Sequence, residues 1–301
     1  MKEASAYAPG HLTGFFQICD EPEDPLLKGS RGSGMSITQG THTDVRVSPT
    51  DENSHRVYFN GEPIDSALVS ENVLRKMLDK ADQPYDVEIL HTIETPLGAG
   101  FGSSGGGAIS LALALNEALG TGLSYIDAAK VAHVAEIECR TGLGTVFAAT
   151  VGGFGVLVKP GGPGIGESIK YDRSDELSVV YLHFGPMATS GALSDPTIRR
   201  RINELGGSYV DHIWKDFRPD LFMELSRSFT NHVGITTPRL RRVLDGAVEA
   251  GVPCTMAMFG EVAFSVVVKE EAEDVASFLM ETSPGHDVEV VGIDDEGARL
   301  T

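Results

Sequence analysis

Pro96-Leu97-Gly98-Ala99-Gly100-Phe101-Gly102-Ser103-Ser104-Gly105-Gly106-Gly107-Ala108 sets six glycines and two serines between segments of opposite character. Before it, Tyr85–Ile93 alternates Val87, Ile89 and Ile93 with Asp86, Glu88 and Thr92, the period of a half-exposed strand. After it, Ala108–Leu119 is apolar almost throughout, which predicts a helix buried nearly all round and stopped by Gly120. Glycines let a backbone approach a ligand closely, the first N–H groups of a helix lack partners, and the helix dipole adds positive potential there. The junction therefore reads as an anion site.

Other readings of the same loop make different demands. Gly100, Gly102 and Gly105 match G-x-G-x-x-G, but a dinucleotide-binding strand should be a buried apolar run, and Tyr85–Ile93 alternates. A Walker A loop ends in Gly-Lys-Ser/Thr, and no lysine lies between Lys80 and Lys130. A plain packing turn explains the glycines but leaves Ser103 and Ser104 without a purpose.

The whole chain narrows the ligand class. Its 301 residues favour two domains, with a boundary placed between Gly161 and Asp175, giving lobes 1–165 and 166–301. Lys+Arg number 24 against 43 Asp+Glu, a formal charge of -19, so nucleic acid and anionic membrane are unfavoured partners. An anionic ligand must be held by local amides, a helix N-terminus and a metal ion. Cys19, Cys139 and Cys254 follow no metal or CxxC spacing and read as free thiols of a reducing cytoplasm. MKEASAYAPG has no apolar signal core, and no apolar run reaches the length of a membrane span.

Along the rest of the chain, Val45–Val47 and Val57–Phe59 read as short strands of a hairpin near Asn60-Gly61, and Val69–Leu78 as a helix. Ser124 with Asp127 caps a helix over Tyr125–Cys139. Strands are expected at GGFGVLVKP, Ser178–His183 and Ala263–Val268, and helices at Asp195–Leu205, Leu221–Phe229 and Pro238–Ala250. Both halves mix strands and helices, so the fold class is α+β.

Pro96–Ala108 closely resembles the second signature of the GHMP kinase superfamily, P-x-x-x-G-L-G-S-S-A-A, with Phe101 for leucine and glycines for the alanines. Ala8-Pro9-Gly10-His11-Leu12-Thr13-Gly14-Phe15-Phe16 resembles the first signature as archaeal pantoate kinases carry it, with histidine replacing lysine or arginine. Leu27–Gly34, His133–Glu136 with Thr141–Gly144, and the third signature at Pro253–Glu261 extend the resemblance over nearly the whole chain. It implies an N-terminal lobe like the second domain of ribosomal protein S5, a C-terminal ferredoxin-like lobe, and ATP-dependent phosphorylation of pantoate to 4-phosphopantoate in coenzyme A biosynthesis. A homodimer is implied as well. Kinases of the homoserine or mevalonate type are the nearest alternatives within the superfamily.

Residue roles follow by match to that family. Pro96, Gly98, Gly100, Gly102, Ser103, Ser104, Gly105 and Gly106 would hold ATP, and Ser104 with Glu136 would ligate Mg²⁺. A helix N-cap would use the same Ser104 hydroxyl. Glu136 shares a helix face with Ala129 and Ala132, small residues that admit a neighbouring loop. His11, Ser30, Arg31 and His133 would meet the substrate; for Arg31 a surface ion pair, and for His133 a structural role, are the competing assignments. One departure stands out: the family reads Gly-Leu-Gly-Asp where this chain has Thr145, so the expected general base is missing. Either Thr145 orients the attacking hydroxyl, or the chain is a catalytically weak nucleotide-binding homologue.

Overall fold

The computed structural model describes residues 1–187 and 194–301. Two long antiparallel strands dominate it, β1 (Lys2–Cys19) and β2 (Gly29–Pro49). Pro9, Gly10 and Gly14 hide β1 from pattern reading, yet they mark where its register shifts, between Pro9 and Gly10 and between Thr13 and Phe15. Bulges of this kind bend a strand and allow one pair of strands to serve two cores.

The first sheet runs β12-β1-β2-β5-β3-β4, with β6 pairing β2 and β7 pairing β6. Here β3 is Ser54–Phe59, β4 Glu62–Pro63, β5 Tyr85–Ile93, β6 Phe154–Lys159, β7 Glu167–Lys170 and β12 Arg299–Leu300. Val45–Val47 is the end of the 21-residue β2 rather than a short strand. The hairpin at Asn60-Gly61 joins β3 to β4, and β3 lies parallel to β5. Both turn residues have positive φ, 49° and 85°, as a type I′ turn requires.

Behind this sheet stand α1 (Leu68–Leu78), α2 (Ser103–Leu119), α3 (Tyr125–Cys139) and α4 (Thr145–Val151). The second sheet runs β11-β8-β10-β9, with β8 at Leu177–His183, β9 at Thr255–Met256, β10 at Val262–Val268 and β11 at Val288–Val291. Helix α5 (Pro196–Ile213) lies against β1, β2 and β6, while α6 (Pro219–Val233), α7 (Pro238–Ala250) and α8 (Ala272–Thr282) pack on the second sheet. Sheet membership thus changes between Lys170 and Leu177, and the last strand returns to the first sheet.

Two cores result, and β1/β2 belong to both. Ala6, Ala8, Val45 and Val47 pack with α1, α2 and α3, while Leu12, Phe15, Ile18, Met35 and Ile37 pack with Val179, Leu182, Phe222, Phe229 and Phe264 of the second lobe. This continuity fixes the floor of the cleft between the lobes. No helix among the described residues is long and apolar enough to cross a membrane.

Candidate active site

The glycine-rich segment turns tightly before α2: Gly98, Gly100 and Gly102 have φ of 69°, 84° and 66°. Gly102 is the N-cap and has no side chain to offer; Ser103 opens the helix, five residues before the expected start. Ser104 is therefore inside the first turn and is not the cap. The first intrahelical bond is Gly106 N–H to Gly102 O at 3.0 Å, which leaves the amides of Ser103, Ser104 and Gly105 without helical acceptors. Phe101 anchors the loop by burying its ring against Tyr181 of the second sheet, centroids 4.8 Å apart. On the other side, His11 N–H donates to Phe101 O at 2.8 Å.

Ser104 is exposed and donates its hydroxyl to Glu136 Oε1 at 2.6 Å. Thr141 Oγ1, a residue the sequence reading did not single out, donates to the same oxygen at 2.7 Å. Ala129, Ala132 and Glu136 are all buried on one face of α3. Burial raises the Glu136 pKa, and the two hydroxyls act against that rise. Close approach explains Gly142: a Cβ there would lie 2.1 Å from Glu136 Oε2. A buried carboxylate and hydroxyls are hard oxygen donors suited to Mg²⁺, which usually completes its shell with water and phosphate oxygens. Ser104 and Glu136 fit such an ion.

Thr145 opens α4 and packs its methyl on the glycine-rich loop, where a Cβ on Gly102 would come within 2.5 Å of Cγ2. Ser30 Oγ lies over Gly144, and a Cβ there would be 2.2 Å away. Ser30 and Arg31 sit on strand β2, although the glycines at 29, 32 and 34 around them read as a loop. Successive strand residues face opposite ways. Ser30 accordingly lines the cavity while Arg31 turns outward, donating Nε to Val158 O at 2.8 Å and pairing with Asp211 of α5.

His133 is also apart from the cavity wall. Its Nε2 is 3.1 Å from both Pro25 O and Lys28 O, so the ring ties the 20–28 connection to α3. His11 faces the cavity, its ring over Gly34, with a buried Nδ1 that has no partner among the described residues; burial lowers its pKa to about 4. Pro96, Gly105 and Gly106 lie beside or beneath the wall rather than on it.

A further polar chain underlies α2. Ser110 Oγ donates to Gly106 O at 2.9 Å, Thr43 Oγ1 is 2.6 Å from Ser110 Oγ and 2.8 Å from His91 Nδ1, and Ser70 Oγ is 3.1 Å from His91 Nε2. Since Ser110 spends its proton on the carbonyl, Thr43 donates to Ser110, His91 Nδ1–H to Thr43, and Ser70 to Nε2. The imidazole is neutral, and burial holds its pKa at about 4.

The cavity encloses about 490 Å³. No Asp or Glu lines it among the described residues, although the chain has 43 of them. Phe59, Ala67, Leu68 and Leu97 form an apolar arm on one side of the α2 start; His11, Ser30 and Thr145 stand on the other. Met258 and Phe259 of the third signature close it from the second lobe, with Phe259 at φ +61°.

A family model for the GHMP kinases N terminal domain matches residues 67–153. Pantoate kinase of Thermococcus kodakarensis is 33% identical over 289 residues, covering 94% of each chain. Among solved structures, a phosphotransferase related to CoA biosynthesis pathway superposes with TM-score 0.88 at 31% identity, covering 99% of this chain and 98% of that one. MDDEF in complex with MVAPP, AMPPCP and magnesium superposes with TM-score 0.78 at 17% identity, covering 100% and 99%, a likeness of fold alone. By these measures the chain belongs to the pantoate kinases of the GHMP kinase superfamily.

Proposed function

We propose that this protein transfers the terminal phosphoryl group of ATP to the hydroxyl of pantoate, forming 4-phosphopantoate for coenzyme A synthesis. The observation that carries the reading is the exposed Ser104 hydroxyl on a buried Glu136 carboxylate at the start of α2, in a cavity free of acidic lining among the described residues. The triphosphate lies on the amides of Ser103, Ser104 and Gly105, with the base in the apolar arm beside Phe59 and Leu97. Ser104 and Glu136 hold Mg²⁺, which neutralises phosphate charge when bound. The hydroxy acid occupies the side lined by His11, Ser30 and Thr145.

Phosphoryl transfer depends on positioning and charge neutralisation more than on a strong base, because its transition state is loose. Thr145, at the helix start opposite Gly102, orients the acceptor hydroxyl and supports turnover without a carboxylate. His133 acts at a distance, by holding the connection that leads into Ser30. The lobes divide near residue 165, a few residues before sheet membership changes between Lys170 and Leu177. Free cysteines suit a reducing cytoplasm, a charge of -19 disfavours nucleic acid, and a homodimer is the expected assembly.

ADP release measured with pantoate, homoserine and mevalonate tests the substrate assignment; turnover of homoserine or mevalonate in preference to pantoate would overturn it. Thr145→Val, which keeps the methyl packing and loses the hydroxyl, is expected to lower pantoate turnover about tenfold, of the order of one hydrogen bond. An inactive wild type rescued by Thr145→Asp would refute the role given to Thr145.

A further inference from the structure

A small hydroxy acid brings a carboxylate into the cleft of a protein with formal charge -19, so some group on the wall must compensate it. Arg31, the cation expected there, is committed outward to Val158, Gln17 and Asp211. His91 has both ring nitrogens engaged beneath α2, and burial keeps His11 neutral. Among the described lining residues one full positive charge remains, Lys170 of β7.

Sheet register places that charge. Gly34 of β2 pairs with Gly155 of β6, and Gly155 with Lys170 of β7. Residues directly opposite one another share a face. Lys170 therefore rises from the same face as Gly34 and Gly155, in a row about two strand spacings, or roughly 10 Å, across. The His11 ring covers the other end of this row, since a Cβ on Gly34 would be 2.7 Å from its Nε2. Ser30, two pairs along β2 on the same face, borders it.

The amine is pinned at the wall. Lys170 Nζ donates to Val151 O at 2.7 Å and to Asp295 O at 3.0 Å, which leaves one N–H and the whole charge for a ligand. Val151 is the last residue of α4 and Thr145 its first, so one short helix spaces the hydroxyl from the ammonium by about 9 Å along its axis. The Asp295 side chain borders the same glycine, Gly153, yet makes no ion pair with Lys170 among the described residues.

We propose that Lys170 is the carboxylate anchor of the acceptor subsite: the hydroxy acid lies beside Gly155, between the His11 ring and Lys170, with its carboxylate at Lys170 Nζ and its reacting hydroxyl toward Thr145 and the start of α2. This rests on the pantoate reading. The test compares pantoate with its neutral carboxamide in ADP-release kinetics for wild type, Lys170→Met and Lys170→Arg, with ATP affinity and melting temperature as folding controls. Removing one charge-assisted hydrogen bond to the substrate raises pantoate KM by about 10- to 100-fold in Lys170→Met, with carboxamide KM unchanged within about twofold. Lys170→Arg keeps the preference for acid over amide.

An unchanged pantoate KM in Lys170→Met overturns the assignment, as does an equal loss for acid and amide, which would mark the lysine as a tether of α4. Should Lys170→Met lose ATP binding, Lys170→Gln carries the same comparison. A wild type that neither binds nor phosphorylates pantoate removes the parent reading and the anchor with it, whereas an active wild type with an indifferent Lys170 removes the anchor alone.

Discussion

Acidification should weaken the support beneath the start of α2 through His91. The ring is buried, its nitrogens are shared between Thr43 and Ser70, and its pKa lies at about 4 against an ordinary 6.5. In the unfolded chain the imidazole takes a proton from about pH 6.5 downward, while the native protein takes none until about pH 4. The unfolded state thus binds more protons in that window, and stability falls as pH falls. Its contribution is fully present above the unfolded value and is lost toward the folded one. Between about pH 7 and about pH 5 the loss attributable to this one group is about 2 kcal/mol, from about 1.4 kcal/mol per pKa unit and the fraction of unfolded chains protonated. His11 and the carboxylates titrate alongside, so the measurement is a difference: urea unfolding of wild type and of His91→Gln across this range. The variant starts less stable, without the Thr43–His91–Ser70 bridge, and its stability should depend on pH more weakly by about 2 kcal/mol over the interval. Two curves that stay parallel within about 0.5 kcal/mol would refute a neutral, buried His91.

Two further outcomes follow from the geometry beside that bridge. Glu136→Gln removes a buried charge while keeping oxygen and volume, so turnover is expected to fall by about 100-fold or more with little loss of thermal stability; ADP-release kinetics and a melting curve check both halves. On α2, Gly106→Ala is expected to stabilise by about 0.5–1 kcal/mol, since its Cβ would meet nothing closer than 3.6 Å, whereas Gly105→Ala, with Thr145 Cγ2 at 2.8 Å, should destabilise and be partly relieved by Thr145→Ser. Chemical denaturation of the three variants distinguishes the pair.

Much of the fold and site is legible in the residues alone, and the failures have physical causes. Alternation over Tyr85–Ile93, the Gly120 stop and the Ser124 cap rest on local rules, and the structure matches them: β5 spans the same residues, Gly120 is left-handed, and Ser124 Oγ accepts from Asp127 N. Glycine is the main obstacle. It is penalised in helices, which conceals the first turns of α2, and it reads as loop in strands, which conceals β1 and the stretch of β2 holding Ser30 and Arg31. Long-range pairing overrides propensity at those positions. Thr141 lies in a segment that carries the resemblance but its role does not show there, and Lys170 has no local signal: the first matters because it lies five residues after a buried carboxylate, the second because β6 and β7 pair at one particular register.

An acidic chain that handles two anions must solve an electrostatic problem, and the distribution of charge around the cleft shows the solution. Long-range attraction is absent at a net charge of -19, so affinity has to come from groups within a few ångströms of the ligand. The described lining contains no acid, three amides at the start of α2 have no helical acceptor, and Lys170 is the one full positive charge among the described lining residues. Glu136 is the exception that completes the pattern. Hydroxyls and burial are the influences on its charge, with no cationic side chain among the described residues near enough to shift its pKa. A carboxylate left in that state behind the glycine-rich loop would repel ATP bound as proposed, unless the charge between them is made up by a cation that both can share. Serine, glutamate and phosphate oxygen are the donors such a cation would require, so on the proposed reading the arrangement that looks unfavourable in the protein by itself would make nucleotide and metal bind together.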